Sequence, residues 1–455
     1  MFNRREHSRP LQMRRIVRFA LCVLALSVGV VLFSARIPFL SHRATEFTSI
    51  TEPSSWPAAP ANMDILLPTL YPSQSRTWIT ENQKTTHALF RCIEQSNCGR
   101  NQTKVVIIVA FEFIGTMEGG SIGGEAIWAL STLRALSNLG YSVLFAPTMD
   151  RAVQLYHIFH ELVRVVIAHP EQATECWWNG SCRRTKDNPS GIPAWKIFSF
   201  SFWQQPDNPL GEKWTLSPED YRPPKPNTYL GYSIEAQCHR HPFVPHSERS
   251  QQAYILAKEL FFFHPSGRAW PPEFFDLASE STGVAILAGA KDSPGAPVQA
   301  SPSDLAPSIK NLGPMEQDEF YDVLSRSVVL IGMGDPVLSP TPYDALCLGV
   351  PFINPIKEWD RQNPSDRNNW DTQHDMLKHL SPPYVYHVFK DDRDGFVQAI
   401  RDAQAHPIES FVLDRMKMEA VEYRLGRILE HNWWAEAAAL LQEQKTTIDE
   451  PMFIL

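Results

Sequence analysis

Residues 104–168 hold the feature that most constrains the fold. Residues 105–110 form a continuous apolar run rich in β-branched side chains, typical of a parallel strand covered on both faces. Five glycines follow between positions 115 and 124, and residues 125–139 then show helical apolar spacing that stops at Gly140. The next predicted elements are a strand at 141–146, a helix at 151–162 and a strand at 163–168. This alternation predicts a Rossmann-like unit whose glycine loop lies at the ligand-binding edge of a parallel sheet.

A second alternation of strands and helices begins near residue 254. It predicts strands at 284–288, 328–331 and 350–354 and helices at 317–327 and 343–347. Residues 170–250 lack such a pattern and are rich in Trp, Pro and Asn, so they are predicted to be a long irregular insertion that shapes one face of a cleft. The predicted fold class is therefore α/β, with two Rossmann-like domains that face one cleft.

Composition narrows the class of protein. A chain of 455 residues with 43% hydrophobic side chains is long enough for about two to three domains with a real core. Its 42 basic and 50 acidic residues give a net charge of −8, and basic residues cluster only within the first eighteen positions. Because nucleic-acid binding needs a clustered basic surface, the sequence predicts no nucleic-acid partner.

The N-terminus predicts a membrane anchor. Residues 1–18 carry six arginines, and residues 19–35 contain no charge. A helix needs roughly 20 apolar residues to cross a bilayer, and its basic flank stays in the cytoplasm, so we expect a cytoplasmic tail and a single-pass signal anchor. The alternative is a cleaved signal peptide, whose apolar region is usually about 7–15 residues long.

The anchor prediction sets the domain organisation and the compartment. Residues 36–103 are predicted to be a proline-rich stem followed by a short helical cap. Residues 104–265 form the predicted N-terminal Rossmann-like domain, which contains the insertion. Residues 266–455 form the predicted C-terminal Rossmann-like domain. The bulk of this type II membrane protein would then be lumenal.

Cysteines and glycosylation sequons fit a lumenal location. The close pairs Cys92/Cys98 and Cys176/Cys182 are disulfide candidates, because short disulfide loops are common in oxidising compartments; the alternative is independent thiols. Cys238 and Cys347 are interpreted as buried or unpaired. The sequons at Asn101 and Asn179 are glycosylation candidates, although such triplets also occur by chance.

The segment from Gly332 to Asn354 carries the most specific chemistry. Gly332 and Gly334 lie where a strand ends and a helix is about to begin, and unsatisfied backbone N–H groups at such a point favour a diphosphate. Asp344, one turn into that helix, is placed to accept both hydroxyls of a ribose. The alternative is that Asp344 only interacts with the dipole at the helix N-terminus.

This segment, which includes Pro340, Pro342 and Asn354, is similar to the donor-binding region of glycosyltransferase family 18, the α-1,6-mannosylglycoprotein 6-β-N-acetylglucosaminyltransferases. Residues 213–221, 227–232 and 372–374 resemble other parts of the same family. The resemblance covers most of residues 104–400. It implies a GT-B type fold, UDP-N-acetylglucosamine as donor, inversion at the anomeric carbon and no required metal or other cofactor. It also implies an N-glycan of a glycoprotein as acceptor and a Golgi membrane location. It assigns the acceptor site and the base to the domain of residues 104–265 and donor binding to the domain of residues 266–455.

By the same resemblance, Glu125 in Ile122-Gly123-Gly124-Glu125 is the catalytic base. A single displacement with inversion needs a carboxylate beside the acceptor hydroxyl. The alternative is a first-turn glutamate that serves only the helix, whose dipole would depress its pKa and weaken it as a base.

Other candidates surround these two sites. Lys291, which follows Gly289 at the end of a predicted strand, and Lys357 are candidate partners of the diphosphate, or surface lysines. Trp203 and Trp214 could stack on acceptor sugars, or belong to the core. Asp392-Arg393-Asp394 resembles a metal motif but fits a helix N-cap better. Cys238-His239-Arg240-His241 lacks a second zinc ligand pair.

Two alternative functions stay open at this stage. The protein could be a transferase of the same fold that uses another nucleotide sugar or acceptor. It could also be a membrane-tethered sugar-binding protein without turnover.

Overall fold

The computed structural model of the chain describes residues 77–118, 123–204, 207–221, 226–292, 294–296, 298, 300–301, 304–444 and 453–455. The predicted cytoplasmic tail, membrane segment and stem as far as residue 76 lie outside these residues. Within the described part of the chain, no helix has both the length and the apolar character needed to span a bilayer.

The first domain is built on a sheet of six parallel strands. They are β1 (Val105–Ile108), β2 (Ser142–Phe145), β3 (Val163–Ala168), β4 (Ile197–Phe200), β5 (Thr215–Ser217) and β6 (Thr228–Tyr229). Their spatial order is β2-β1-β3-β4-β5-β6, so the chain reverses direction across the sheet between β1 and β3. Ligands of open parallel sheets bind at such a switch point, beyond the carboxyl ends of the strands.

Six helices accompany this sheet: α1 (Thr77–Gln95), α2 (Phe111–Met117), α3 (Gly124–Asn138), α4 (Met149–Phe159), α5 (Pro170–Trp178) and α6 (Glu235–Arg240). Helix α1 confirms the predicted helical cap. The expectation of an irregular insertion at residues 170–250 is wrong in part, because β4, β5 and β6 extend the sheet there. Strands β5 and β6 are only three and two residues long, and β4, with four residues, contains a single β-branched residue, Ile197, so none of them shows a recognisable pattern in the sequence.

The second domain is built on a seven-stranded sheet. Its strands are β7 (Gln252–Leu256), β8 (Ala285–Ala288), β9 (Ile309–Asn311), β10 (Val329–Gly332), β11 (Phe352–Glu358), β12 (Asp371–Thr372) and β13 (Val385–Phe389). The parallel strands run β9-β8-β7-β10-β11-β13, and β12 pairs antiparallel with the end of β11. This is the Rossmann strand order, with its switch point between β7 and β10. The predicted pair of Rossmann-like sheets is confirmed, but the predicted boundary after residue 265 is wrong, because β7 already belongs to the second sheet.

The helices of this second half are α7 (Pro272–Thr282), α8 (Gln317–Ser325), α9 (Thr341–Cys347), α10 (Arg393–Ala405), α11 (Met418–Glu430) and α12 (Trp433–Gln444). Helices α7 and α10 pack against each other, and α10 also contacts β13. Helix α11, however, returns to the first domain and packs on α3, while α12 contacts the short helix Ala194–Lys196. The end of the chain therefore joins the two domains.

Three disulfides stabilise the described part of the chain. Cys92–Cys98 and Cys176–Cys182 are the two pairs that the spacing predicts. The interpretation of Cys238 and Cys347 as unpaired is wrong, because the structure joins them across 109 residues, with 5.8 Å between their Cα atoms. Sequence spacing gives no signal for a pair so far apart.

Candidate functional site

The start of α3 and the loop ahead of α9, which belong to different domains, lie against each other, and the region around this contact is called the cleft below. The start of α3 follows β1 and α2 in the chain, and residues 333–340 follow β10. A Cβ atom placed on Gly124, the first residue of α3, would lie 3.3 Å from Pro340 Cδ and 3.0 Å from Phe202 Cζ. The first turn of α3 therefore touches the loop of the second domain, and Gly124 allows this approach because it has no side chain.

Glu125 lies in the first turn of α3, directly beyond this contact. Its side chain is exposed. The structure thus brings the predicted base to the rim of the cleft, beside the loop of the second domain. Its role as base stays a prediction.

The loop after β10 is held by a dense set of hydrogen bonds. Gly334 has φ of +110°, which favours glycine, and its N–H donates to Gln373 Oε1 at 3.0 Å. Gln373 Nε2 donates to Pro336 O at 3.0 Å, and Trp270 Nε1 donates to Gly332 O at 2.6 Å. A Cβ on Gly332 would lie 2.8 Å from Ile353 O, so only glycine fits there. The loop is therefore a preformed backbone surface.

Asp344 lies on α9, but its side chain is not at the cleft surface. The residue is 4% exposed, and its carboxylate accepts a hydrogen bond from Tyr321. Burial raises the pKa of Asp344 to about 7, while the Tyr321 hydrogen bond lowers it. Contact of this carboxylate with a ribose stays a prediction that requires the side chain to become accessible.

Asn354 on β11 has a structural partner. Its Nδ2 donates to His374 O at 3.2 Å, and its Oδ1 accepts from His374 N at 3.0 Å. His374 is fully buried, and burial lowers its pKa to about 3, so the ring is neutral at physiological pH. Through these two hydrogen bonds, Asn354 holds the segment of residues 372–374 against β11.

The remaining predicted donor residues lie at the carboxyl edge of the second sheet. Gly289 and Lys291 follow β8, and a Cβ on Gly289 would meet Met315 Cε and the Tyr254 hydroxyl. Lys291 is exposed. Lys357 lies near the end of β11 with its Nζ 3.5 Å from Asp371 Oδ2, so it is already paired. Pro342 is buried within α9.

The two predicted sugar-stacking tryptophans differ in exposure. Trp203 is 46% exposed and follows the buried Phe202 at the rim of the cleft. Trp214 is 2% exposed, donates from Nε1 to Trp195 O at 3.1 Å and packs 5.6 Å from the Trp433 ring. The assignment of Trp214 to the acceptor site is wrong, because a side chain enclosed by the core cannot stack on a sugar.

The sequence reasoning missed a cluster next to Glu125. Glu112, in the first turn of α2, and His169, the N-cap of α5, follow the adjacent strands β1 and β3. Glu112 Oε1 lies 3.7 Å from His169 Nε2. Burial raises the pKa of Glu112 to about 7, and the charge of Glu125 contributes to the increase. The position of both residues directly after β1 and β3 was the available signal.

A second missed cluster lies between the domains. The Tyr343 hydroxyl donates to Glu219 Oε1 at 2.9 Å and accepts from Arg415 Nη2 at 3.1 Å. Tyr343 and Glu219 are fully buried. Burial raises the pKa of Glu219 to about 7, although Arg415 acts in the opposite direction. This network ties α9 to the loop after β5.

The other sequence motifs have structural explanations. Asp392 is the N-cap of α10 and accepts from Gly395 N at 2.9 Å, which confirms the predicted capping role. Cys238 is held in a disulfide. No group of three or more His, Cys, Asp or Glu among the described residues could hold a metal ion. Asn101 donates from Nδ2 to Leu139 O at 2.9 Å, whereas Asn179 lies in the Cys176–Cys182 loop.

The chain is similar to known glycosyltransferases. Residues 159–444 match the model of glycosyltransferase family 18. Alpha-1,6-mannosylglycoprotein 6-beta-N-acetylglucosaminyltransferase B of Mus musculus is 22% identical over 257 residues, which are 53% of this chain and 31% of the mouse protein. The Homo sapiens protein of the same name is 20% identical over 239 residues, 49% of this chain and 29% of the human one.

The match thus spans less than a third of the length of these relatives. Among solved structures, AviGT4, a glycosyltransferase involved in avilamycin A biosynthesis, aligns with a TM-score of 0.40 and 11% identity. That alignment covers 76% of this chain and 98% of AviGT4.

Proposed function

Because the chain belongs to glycosyltransferase family 18, we propose that it transfers N-acetylglucosamine from UDP-N-acetylglucosamine to the 6-hydroxyl of an α-mannose in an N-glycan. The names of its mouse and human relatives support this donor and acceptor. The observation that carries the proposal is the contact between the start of α3 and the loop of the second domain. Glu125 and the preformed Gly332–Gly334 backbone, which belong to different domains, thereby share one cleft.

The proposed reaction is a single displacement with inversion. Glu125 accepts the proton of the mannose hydroxyl while the oxygen of that hydroxyl forms a bond to the anomeric carbon of N-acetylglucosamine. The bond from that carbon to the β-phosphate oxygen breaks, and UDP leaves with the electron pair. The ammonium of Lys291 would stabilise the charge on UDP, while the loop after β10, whose Gly334 N–H already donates to Gln373 Oε1, would supply the surface on which UDP lies. Lys357 contributes less, since Asp371 already neutralises it.

On the acceptor side, the exposed ring of Trp203 is the candidate surface for sugar stacking. The pairing of two domains across a cleft is consistent with the GT-B type of transferase. We propose that the catalytic part faces the Golgi lumen behind an N-terminal anchor. Three disulfides support this, because structural disulfides persist in oxidising compartments and are rare in the cytosol.

The test compares the purified full-length protein with its Glu125→Gln variant, without reducing agent, using UDP-N-acetylglucosamine, an N-glycan acceptor and excess chelator. We expect the variant to lose transfer by at least about a hundredfold while it still binds UDP. Glu419→Gln is the matched control, because Glu419 is an exposed glutamate in the first turn of another helix, α11. Equal activity of wild type and Glu125→Gln would remove Glu125 as base.

Absence of transfer by the wild type would contradict the proposed donor or acceptor. A panel of nucleotide sugars then distinguishes a transferase of other specificity from a sugar-binding protein without turnover.

A further inference from the structure

A cavity lies at the edge of the first sheet where its strands begin, away from the cleft. Residues 161–164, at the start of β3, form one wall, and Trp195 and Lys196, just ahead of β4, form another. Residues 429–434, which connect α11 to α12, form the third. Because β3 is six residues long, this edge lies roughly 17 Å from the carboxyl end of the same strand. The cavity, called the amino-edge pocket below, has a volume of about 280 Å³, close to the lower limit for small-molecule sites.

Tryptophan side chains form much of this pocket. Trp433 is buried, its Nε1 donates to Ile428 O at 2.7 Å, and its ring centroid lies 4.7 Å from that of Phe198. These contacts anchor the first turn of α12, so the next residue, Trp434, is held in place although it is 49% exposed. Trp195, on the facing wall, is half-buried. A fixed aromatic ring offers a flat apolar surface to a ligand at a low cost in conformational entropy.

The charged groups of the pocket balance one another. Arg164 and Lys196 supply two cations, and Glu161 and Glu430 supply two carboxylates. The Arg164 guanidinium lies against Glu430, with 3.4 Å between Nη2 and Oε2. His431, the other ionisable side chain of the lining, bonds a glutamate outside the pocket. The pocket therefore has no charge excess that would select an anion or a cation.

Two donors of the pocket have hydrogen-bonding capacity left. Trp195 Nε1 is buried and has no hydrogen-bond partner among the described residues. Buried N–H groups are normally paired, so this one leaves a place for an acceptor that comes from a ligand. The Lys196 ammonium has three N–H donors, of which Val163 O accepts one at 2.6 Å. A ligand that suits the pocket thus combines oxygen acceptors with an apolar face.

We propose that the amino-edge pocket binds an uncharged pyranose sugar, whose C–H face packs on the Trp434 ring while its oxygens accept from Lys196 and Trp195. An anion would meet the carboxylates Glu161 and Glu430 as well as the two cations. A purely apolar ligand would leave the Trp195 donor unpaired. The pocket uses neither Glu125 nor the loop after β10, so this inference goes beyond the proposed reaction. A second sugar site would hold a branched glycan at two points and raise its apparent affinity.

The test follows the ¹⁹F NMR spectrum of the full-length protein labelled with 5-fluorotryptophan, without reducing agent. The Trp434 resonance is identified by its absence in Trp434→Phe. The probes are methyl α-D-mannopyranoside and methyl N-acetyl-β-D-glucosaminide, the two uncharged pyranoses of the proposed reaction. We expect at least one of them to shift the Trp434 resonance with a Kd in the millimolar range, and UDP to leave that resonance unchanged.

The same titration is then read from the Trp195 resonance, identified by its absence in Trp195→Phe, in the wild type and in Trp434→Ala. We expect the Kd to rise at least about tenfold in Trp434→Ala, because the sugar loses the ring on which it packs. Trp178→Ala is the matched control, because Trp178 is 79% exposed on another surface, the Cys176–Cys182 loop. It should bind the sugar with the wild-type Kd.

Two results overturn the proposal. One is a Trp434 resonance that neither sugar shifts, and the other is an equal Kd in Trp434→Ala and the wild type. Glu125→Gln should bind the sugar at this pocket as the wild type does. Loss of transfer in the wild type would contradict the proposed function and leave sugar binding at the pocket intact, so the two proposals fail separately.

Discussion

Burial sets the protonation of the ionisable side chains in and around the cleft. It raises the pKa of Glu112, Glu219 and Asp344 to about 7, and it lowers the pKa of His374 and His387 to about 3 and 4. The neutral form of each is thus favoured over the charged one. Small changes of pH near neutrality therefore alter the charge of three carboxyls but not of these two imidazoles.

His387 on β13 allows this effect to be measured. Its Nε2 bonds Leu380 O at 2.8 Å, and its pKa in the folded protein is about 4, against about 6.5 in the unfolded chain. The unfolded chain therefore binds a proton below pH 6.5 that the folded protein does not bind until about pH 4. The contribution of neutral His387 to the free energy of unfolding is fully present above pH 6.5. It is lost as the pH falls toward 4, which lowers that free energy by up to about 3 kcal/mol.

We expect His387→Gln, whose amide can still donate to Leu380 O, to lack this loss. Denaturant unfolding at pH 7 and pH 4.5 should show a smaller difference in unfolding free energy for the variant than for the wild type. His406→Gln, at an exposed histidine of the same domain, should retain the wild-type dependence on pH. Identical pH dependence in His387→Gln and wild type would contradict the prediction.

At this scale the sequence predicts residue chemistry but not side-chain direction. The positions of Glu125 and Trp203 agree with an accessible cleft. Asp344 and Trp214 are chemically plausible ligands that the fold turns inward. Direction depends on packing against residues distant in sequence, such as Tyr321 and Trp433, which periodicity cannot reveal.

Among the elements, predictability followed length and burial. The four-residue β1 is fully buried, and its apolar run was unmistakable. Strands β5 and β6 carry too few residues to show a period, and β4, which is also four residues long and buried, contains only one β-branched residue, Ile197. The predicted helix at 125–139 begins one residue earlier in the structure, at Gly124. The sequence therefore placed Glu125, the predicted base, on the first turn of a helix but did not show its contact with the second domain.

The start of α3 can be tested with paired glycine substitutions. An alanine Cβ at position 124 would lie 3.0 Å from the buried Phe202 ring and 3.3 Å from Pro340 Cδ. Overpacking of this kind costs about 1–3 kcal/mol, more than alanine gains over glycine in a helix. At Gly115, inside α2, no heavy atom lies within 4 Å of an added Cβ atom. We expect Gly124→Ala to lower stability and transfer rate.

Gly115→Ala should instead raise stability by about 0.5–1 kcal/mol, because alanine has the higher helix propensity. Thermal unfolding and initial transfer rates measure both variants. A stabilising Gly124→Ala with full activity would mean that α3 does not press against the loop of the second domain.

At the scale of the whole molecule, at least three connections between described residues join the two domains. The Cys238–Cys347 disulfide links α6 to α9, helix α11 packs on α3, and the Tyr343 hydroxyl bridges Glu219 and Arg415. None was predicted, because each joins parts of the chain that are far apart in sequence. The two parallel sheets could be predicted from local patterns, while the cleft between them is fixed by these long-range contacts.

The Tyr343 bridge gives a prediction at this scale. Tyr343→Phe removes one hydroxyl and leaves the buried Glu219 and the partly buried Arg415 without their shared partner. Loss of a buried hydrogen bond to charged groups costs roughly 2 kcal/mol. We expect urea unfolding of Tyr343→Phe to show that loss, and UDP binding to weaken, because α9 is no longer held to the first domain. Tyr423→Phe is the control: that tyrosine is 63% exposed, and its hydroxyl also accepts from an arginine, Arg427, at 3.3 Å.

The free energy of unfolding of the Tyr423→Phe control should lie within about 0.5 kcal/mol of the wild-type value, as is usual for substitutions at exposed positions. Equal losses of unfolding free energy in Tyr343→Phe and Tyr423→Phe would show that the Tyr343 bridge stabilises the protein no more than an ordinary surface contact does. A loss of stability with unchanged UDP binding would restrict the bridge to holding the fold. Weaker UDP binding in Tyr343→Phe alone would show that the buried network, although it lies outside the cleft, sets the position of the helix on which the nucleotide site depends.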